Sequence, residues 1–250
     1  ANSSGTGNTS VGSRSMELNT TGGANAAFGT FALLNNLSGS NNVALGRSAL
    51  TAATSVSNNV AVGYFALNAN TIGTPNTAVG TQAMQNNTTG INNSAFGYQA
   101  LLSNTTGSHN TALGHQALNL SQTGDNNLAI GYLALSSATS ATNNVAIGYH
   151  ALLANTSGYN NTAVGIVALD ANTTGIENQA FGIAALTNNT TGDHNVGIGV
   201  QALERNISGS RNISIGVQSL FSATSTSDNI AIGYDALTTN TSGFPNLAIG

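Results

Sequence analysis

One glycine recurs every 17 residues from Gly12 to Gly250, without an insertion or a deletion. It closes the phrase Asn-x-Ala-x-Gly in most copies, and the asparagine of this phrase is never replaced. A small residue and then Leu or Met follow, as in Ala100-Leu101, and a turn phrase such as Asn-Thr-Thr-Gly at 104–107 comes next. A fixed short period is typical of a solenoid. We therefore expect residues 1–250 to form a single continuous repeat domain, uncapped at both ends.

The period is too short for a pair of helices, which needs about 33 residues. The repeated phrase instead alternates with period 2, so that Val145 and Ile147 lie on one side of a strand and Ala146 and Gly148 on the other. The Ala-Leu pair is expected to begin a second short strand, and Asn, Thr and Gly then turn the chain. The sequence predicts an all-β fold, a parallel β-solenoid (β-roll) of about fifteen 17-residue coils.

Each coil offers only two large apolar side chains, the residue before the glycine and the leucine after it. We expect them to form a thin two-layer core; examples are Val62, Phe96, Ile130, Phe181 and Ile232 with Leu67, Leu101, Leu135, Leu186 and Leu237. Small residues such as Ala61, Gly63 and Ala66 are expected on the opposite face, where copies of the chain could pack closely. The alternative, that these small residues fill a narrow interior, stays open.

A longer period lies over the short one. Three coils carry Ala-Thr-Ser in place of the usual turn phrase, at 53–55, 138–140 and 223–225, which gives an 85-residue super-repeat of five coils. We attribute it to duplication of a five-coil block. The alternative is that the unusual turn contacts a partner or marks a helical repeat.

The invariant asparagines predict a structural ladder, because identical amides stacked once per coil can hydrogen-bond along the stacking direction. These residues are Asn8, Asn25, Asn42, Asn59, Asn76, Asn93, Asn110, Asn127, Asn144, Asn161, Asn178, Asn195, Asn212, Asn229 and Asn246.

Two further patterns are candidate surface features. Five tyrosines directly follow a repeat glycine and predict a broken aromatic stripe that either braces neighbouring coils or stacks on a sugar: Tyr64, Tyr98, Tyr132, Tyr149 and Tyr234. Asn-x-Ser/Thr sequons in the turns predict exposed acceptors if the protein is secreted in a cell that glycosylates asparagine: Asn19, Asn104, Asn155, Asn172, Asn206 and Asn240.

Composition argues against several classes of protein. Charged residues make up 5% of the chain, against about 25% in ordinary domains. Four basic residues, all Arg, cannot meet a phosphate backbone, so we expect no nucleic-acid partner. The chain has no cysteine, and its acids and four histidines form no pattern suited to catalysis or metal binding. Since no apolar run is long enough to span a bilayer, we expect no membrane insertion, and we expect neither an enzyme nor a cofactor.

The phrase Ala129-Ile130-Gly131-Tyr132-Leu133-Ala134 resembles the head repeats of YadA-type trimeric autotransporter adhesins. The longer phrase Asn-Thr-Ala-Val-Gly-x-x-Ala-Leu-x-x-Asn-Thr-Thr-Gly is also similar to repeats of bacterial and phage fibre proteins. The resemblance implies a left-handed β-roll that trimerises and binds host or matrix surfaces.

Together these observations predict a non-enzymatic, extracellular structural or adhesive fibre protein. It would form a rigid rod or filament at the surface of a cell or a virion. Its partners would be copies of itself, as a trimer or an end-to-end filament, and a host surface or glycan. The alternative is an ice-binding or glycan-binding β-solenoid, because regular columns of Thr can order water.

Overall fold

The computed structural model describes residues 4–250, and each repeat contributes one short strand that ends just before the repeat glycine. No helix occurs in this range. The strands are β1 (Thr9–Val11), β2 (Ala26–Phe28), β3 (Val43–Leu45), β4 (Val60–Val62), β5 (Asn76–Val79), β6 (Asn93–Phe96), β7 (Thr111–Leu113), β8 (Leu128–Ile130), β9 (Val145–Ile147), β10 (Thr162–Val164), β11 (Gln179–Phe181), β12 (Val196–Ile198), β13 (Ile213–Ile215), β14 (Ile230–Ile232) and β15 (Leu247–Ile249).

The strands stack in parallel with a register of one repeat. Val145 pairs with Thr162 and Ile147 with Val164, for example. The same register continues outside the strands, where Leu152 N donates to Ala168 O at 3.0 Å and Thr156 N to Thr173 O at 3.0 Å. Backbone hydrogen bonds therefore join neighbouring coils in the turns as well as in the strands, and the predicted all-β parallel solenoid of 17-residue coils is confirmed.

The chain forms two compact units, one that ends at Asn126 and contains β1–β7, and one that begins at Asn127 and contains β8–β15. Both are built from the same coil. Within each unit consecutive strands pair in sequence order, as β1 with β2 and β14 with β15. That residues 1–250 act as one continuous domain stays a prediction.

The second short strand predicted at the Ala-Leu pair is wrong. His150 and Leu152 have φ angles of 57° and 53°, and the equivalent positions of other coils behave alike. Left-handed φ angles are uncommon for residues other than glycine. Placed on both sides of Ala151, they curl the backbone into a turn, and this turn brings Leu152 to the interior, where none of it is exposed.

The interior is narrower than the sequence suggested. The middle residue of each strand points inward, and Ala44, Ala61 and Ala146 are completely buried. The alanine and the leucine after the glycine complete the apolar filling. The largest fully buried side chains are Leu33, Leu50, Leu67, Met84, Leu101, Leu118, Leu135, Leu152, Leu169, Leu186, Leu203 and Leu220.

The predicted core is therefore half wrong. Of its leucines, Leu67, Leu101, Leu135 and Leu186 are buried, whereas Leu237 is only half-buried. The residue before the glycine points outward instead: Phe96, Phe181 and Ile232 are 39%, 40% and 36% exposed, and Val62 and Ile130 are half-buried. Ala61 and Ala66 are interior and Gly63 is half-buried, so the alternative of a narrow interior was right and the small-residue packing face does not exist.

The two faces of one strand give a direct test of this orientation. Ala146→Leu adds three carbon atoms to a filled interior and is expected to lower the free energy of unfolding by about 1–3 kcal/mol or more. Ile147→Ala, one residue away on the outer side, removes three carbon atoms from a half-buried position and is expected to have the smaller effect. Equilibrium denaturation of both variants checks this, and the reverse order would contradict the assignment of the faces.

Candidate functional site

The invariant asparagines form a hydrogen-bonded ladder inside the coils. Asn161 is fully buried, and its Nδ2 donates to Asn144 Oδ1 at 3.2 Å and to Gly175 O at 2.8 Å. Its own Oδ1 accepts from the backbone N and from Nδ2 of Asn178, at 2.9 and 3.2 Å. Each amide thus connects three successive coils and satisfies backbone groups that would otherwise be buried without partners.

A second amide ladder, which the sequence analysis missed, runs through the turns. Asn104 Nδ2 donates to Asn87 Oδ1 at 2.7 Å and to Gly107 O at 2.9 Å, and Asn87 Nδ2 donates in turn to Asn70 Oδ1 at 2.8 Å. The signal was present in the sequence, because an asparagine recurs seven residues after most repeat glycines. This position was interpreted as a turn residue, since asparagine favours turns for local reasons.

The sequon asparagines belong to this second ladder, so the expectation of exposed acceptors is wrong for the buried members. Asn104, Asn155, Asn172 and Asn206 have no exposed surface and Asn19 has 1%, whereas Asn240 is half-buried. Their side-chain nitrogens point into the coil and donate to turn carbonyls, as from Asn155 to Gly158 O at 2.9 Å and from Asn206 to Gly209 O at 2.9 Å. A glycan on such a nitrogen does not fit the folded coil.

The second ladder is interrupted, and most of its gaps explain the 85-residue super-repeat. Alanine replaces the ladder asparagine at Ala53, Ala138 and Ala223, and serine replaces it at Ser121. The amide oxygens of Asn36, Asn104 and Asn206, which each precede a gap, have no hydrogen-bond partner. Buried polar groups without partners are unfavourable, so each gap leaves one unfavourable amide oxygen.

A second replacement accompanies the three alanines, three residues further on. Most coils have glycine there, and a Cβ at Gly73 would meet Asn70 Oδ1 and Gly90 O far inside van der Waals contact. The three coils with alanine in the ladder have Val56, Ala141 and Thr226 instead of this glycine. Removing the amide relieves one of these two contacts, and the side chain of Val56 is 4% exposed. The super-repeat is therefore a paired replacement: alanine stands in place of the buried asparagine, and Val, Ala or Thr stands in place of the glycine three residues later.

The predicted tyrosine stripe is exposed, but its members are not continuous. Tyr132 and Tyr149 stack with ring centroids 5.4 Å apart and planes inclined by 8°. Tyr98 stacks on His115 at 5.1 Å, and Arg47 lies 5.7 Å from the centre of the Tyr64 ring. Tyr234 stands apart from the other tyrosines of its unit and is 71% exposed. The rings brace neighbouring coils, and the Tyr132–Tyr149 pair also presents an exposed aromatic surface.

Charged groups are few, and some of the acidic side chains lie against a basic one. Glu177 Oε2 lies 3.2 Å from His194 Nε2. Arg211 donates two hydrogen bonds to the Asp228 carboxylate, of 2.6 and 2.8 Å. The hydrogen bond from Arg211 lowers the pKa of the Asp228 carboxyl. Within residues 4–250 no three His, Cys, Asp or Glu side chains come close enough to hold a metal ion.

Asp170 differs from the other acids. Partial burial raises the pKa of its carboxyl, and the charge of His150 opposes this shift in part. Its Oδ1 has no hydrogen-bond partner. The carboxylate is therefore held in an environment that disfavours its charge.

One open groove lies along the turn side of the second unit, with a volume of about 470 Å³. It is lined by Ala171, Asn188, Thr190, Arg205, Ile207 and Thr224, which come from successive coils. Arg205 is held against the Phe221 ring, 4.7 Å from its centre. Thr190 Oγ1 donates to Ile207 O at 3.0 Å, so the polar groups that the groove offers to a ligand include the Asn188 amide and the Arg205 guanidinium.

Comparisons with protein-family models, with curated proteins and with solved structures returned no match. In residues 4–250 the structure contains no helix with the length and apolar character needed to cross a membrane.

The paired replacement predicts strong coupling between positions 53 and 56. Ala53→Asn alone is expected to destabilise the fold because the new amide meets the Val56 side chain. Val56→Gly alone is expected to destabilise it because buried apolar surface is lost. In the double variant the new amide can bond to Asn36 Oδ1 and restore the usual coil, so we expect a favourable coupling energy of about 1–3 kcal/mol. A double-mutant cycle by denaturation measures it, and additive effects would contradict the account.

The raised pKa of Asp170 predicts a pH-dependent effect of Asp170→Asn. A carboxyl whose pKa is higher in the folded chain than the unfolded value of about 3.9 contributes its full stability below that value and loses it as the pH rises through the folded pKa. Asp170→Asn should therefore be more stable than the wild type at pH 7, and the difference should vanish in acid. Denaturation midpoints from pH 3 to 8 check this. Asp228→Asn, where Arg211 lowers the pKa, should show the opposite sign at pH 7.

Proposed function

We propose that this chain is a non-enzymatic structural module of an extracellular fibre, which forms a rigid rod or filament on the surface of a cell or a virion. Its mechanism is mechanical. The stacked coils resist bending and proteolysis, and the fibre projects or adheres to a host surface or glycan. Self-association, as a trimer or an end-to-end filament, belongs to the same proposal.

The observation that carries this proposal is the pair of interior amide ladders combined with backbone hydrogen bonds in strands and turns. Asn161, for example, contacts Asn144, Asn178 and Gly175, all in neighbouring coils. The coil is repeated with almost no variation in its interior. Within each unit, a structure in which interior coils are held by both neighbours suits a load-bearing role, since its stability comes mainly from the contacts between repeats.

The exterior suits a protein that works by contact. Many outward side chains are uncharged, and Tyr132 and Tyr149 of neighbouring coils expose two stacked rings. Flat aromatic surfaces of this kind can stack on sugars, which supports a glycan as the second candidate ligand of the fibre. The threonines of the turns give less support to ice binding than the tyrosines give to glycan binding. Thr88 Oγ1 donates to Thr105 O at 2.9 Å and Thr105 Oγ1 to Gln122 O at 3.0 Å, so these hydroxyls are engaged with the chain itself.

The proposal is tested by locating the protein in its source organism. Antibodies raised against the folded chain are expected to label intact cells or particles, and immunogold electron microscopy should place the label on projecting filaments. Label that appears only after the envelope is permeabilised would contradict the extracellular role. Pre-absorption of the antibody with the purified chain is the control.

A second measurement addresses the mechanical part. The purified chain should resist thermolysin at concentrations that digest Asn161→Leu, in which one rung of the ladder is removed. Thr162→Val, on the outer side of β10, is the matched control and should behave as the wild type. If all three chains were digested equally, the ladder would not be the source of the resistance to thermolysin.

A further inference from the structure

The outward side of the sheet in the second unit is unusually apolar. Every strand from β8 to β15 has three residues, and the first and third of each point away from the interior. Apart from Thr162 and Gln179, all of these outward side chains are aliphatic or aromatic. None of them is buried in the single chain, and Phe181 and Ile198 are 40% and 39% exposed. We call this set of side chains the apolar face.

A border of similar character follows the strands. The residue after each repeat glycine forms a column from Tyr132 to Tyr234, in which the intervening members are Tyr, Ile or Val. Ile166 and Ile183 in this column are 50% and 49% exposed. Neither the apolar face nor its border, all of which lies in the part of the chain that the structure describes, carries a charged residue.

The first unit differs at the same positions. Its strands present Thr9, Thr77, Ser94 and Thr111 on the outer side, and Arg47 stands in its border column. The two units are built from one coil, so this difference does not follow from the fold. The last strand residue is apolar in both units, as Phe28, Leu45 and Phe96 are in the first. What distinguishes the second unit is therefore its mostly apolar first strand residue and its wholly apolar or aromatic border column.

The size of the apolar face suits a protein partner. Eight strands at a spacing of about 4.8 Å cover about 38 Å, and the width from the first strand residue to the border is about 13 Å. The footprint is then about 500 Å² on each partner, or about 1,000 Å² for two copies, which reaches the lower bound for a specific interface. A patch of this size lies within the range of about 300–600 Å² for the largest apolar patch of a monomer, and such patches are often functional.

We propose that the apolar face is the surface through which a second copy of this chain docks, sheet against sheet, as a two-fold dimer. Another copy presents the same columns at the same spacing, so the ridges of one sheet fit between those of the other, as in stacked sheets about 10 Å apart. The absence of charge on the face means that two copies do not repel each other. A single face per chain pairs with itself by a two-fold axis, so the proposal favours a dimer over a trimer.

This inference deepens the self-association part of the proposed function and rests on that part alone. Sedimentation of the 250-residue chain is expected to give the mass of two chains at micromolar concentration. The double variant Ile198→Lys with Ile232→Lys places charges in the face without filling the interior, and it should weaken the dimer at least about 100-fold, since unpaired charges in a desolvated interface are strongly unfavourable. Leu45→Lys with Val79→Lys, at equivalent outward positions of the first unit, should leave it within about 3-fold.

The chain contains no tryptophan, so a single introduced tryptophan can report where the contact lies. Emission from Ile215→Trp should shift to shorter wavelength as the protein concentration rises, whereas emission from Val62→Trp should not. Circular dichroism and thermal unfolding of each variant confirm that it is folded.

The outcomes separate the two proposals. A single chain at every concentration overturns both the docking face and self-association. A dimer that withstands the lysines of the second unit overturns the face and leaves self-association standing. A larger assembly that these lysines dissolve overturns the two-fold pairing. An antibody that reaches the protein only inside cells would contradict the extracellular role and would leave a confirmed dimer intact.

Discussion

The structure depends on one interaction, the buried amide of the strand asparagine. Asn144 Nδ2 reaches both Asn127 Oδ1 at 3.2 Å and Gly158 O at 3.0 Å, so a single side chain fixes the height, the register and the turn of its neighbours. An amide can do this because it donates and accepts at once without a charge. A carboxylate could only accept, and a buried charge would be unpaired. The invariance of this residue through all fifteen coils follows from that requirement.

The amide ladder also decides which side of the strand is inside. Asn144, Ala146 and Gly148 share one parity, so an interior asparagine places the alanine inside and sends Val145 and Ile147 outward. The strand period, the coil length and the parallel stacking could be predicted from the sequence. The ladder asparagine and the residue before the glycine lie on opposite sides of the strand, so they could not both be interior. The predicted core was wrong at this residue because large apolar side chains were assumed to be buried. Variation was the better guide, because the tightly packed position is alanine in all but three coils, which have Ser or Gly, while the outer one varies among Val, Leu, Ile and Phe.

The second ladder shows a different limit. Asn104 and Gly107 read locally as a turn, and the sequon made Asn104 look exposed; only the stacking of Asn87 on Asn104 at 2.7 Å reveals a buried amide. Local propensity and tertiary role coincide at this residue type, so the recurrence of the asparagine was explained by the turn and its burial was not predicted. The left-handed φ angle of Leu152 was missed because turns are predicted from Gly, Asn and Asp rather than from leucine. Because the interior is narrow, most β-branched and aromatic side chains lie at the surface.

In-register stacking also accounts for the scarcity of charge. Any residue has its counterpart 17 positions on as its nearest neighbour in the column, so duplication of a charged coil would place like charges about 4.8 Å apart, a repulsion of about 1 kcal/mol per pair even in water. Among Asp, Glu and Arg only one pair in the chain stands 17 apart, Arg211 with Asp228, and their signs are opposite. Neutral residues that both donate and accept escape this constraint. Gln99 bonds to Gln82 and to Gln116 at 2.9 and 2.8 Å in a surface column. A chain that grows by duplicating stacked coils is thus driven toward Asn, Gln, Ser and Thr, and its 5% of charged residues follow from its architecture.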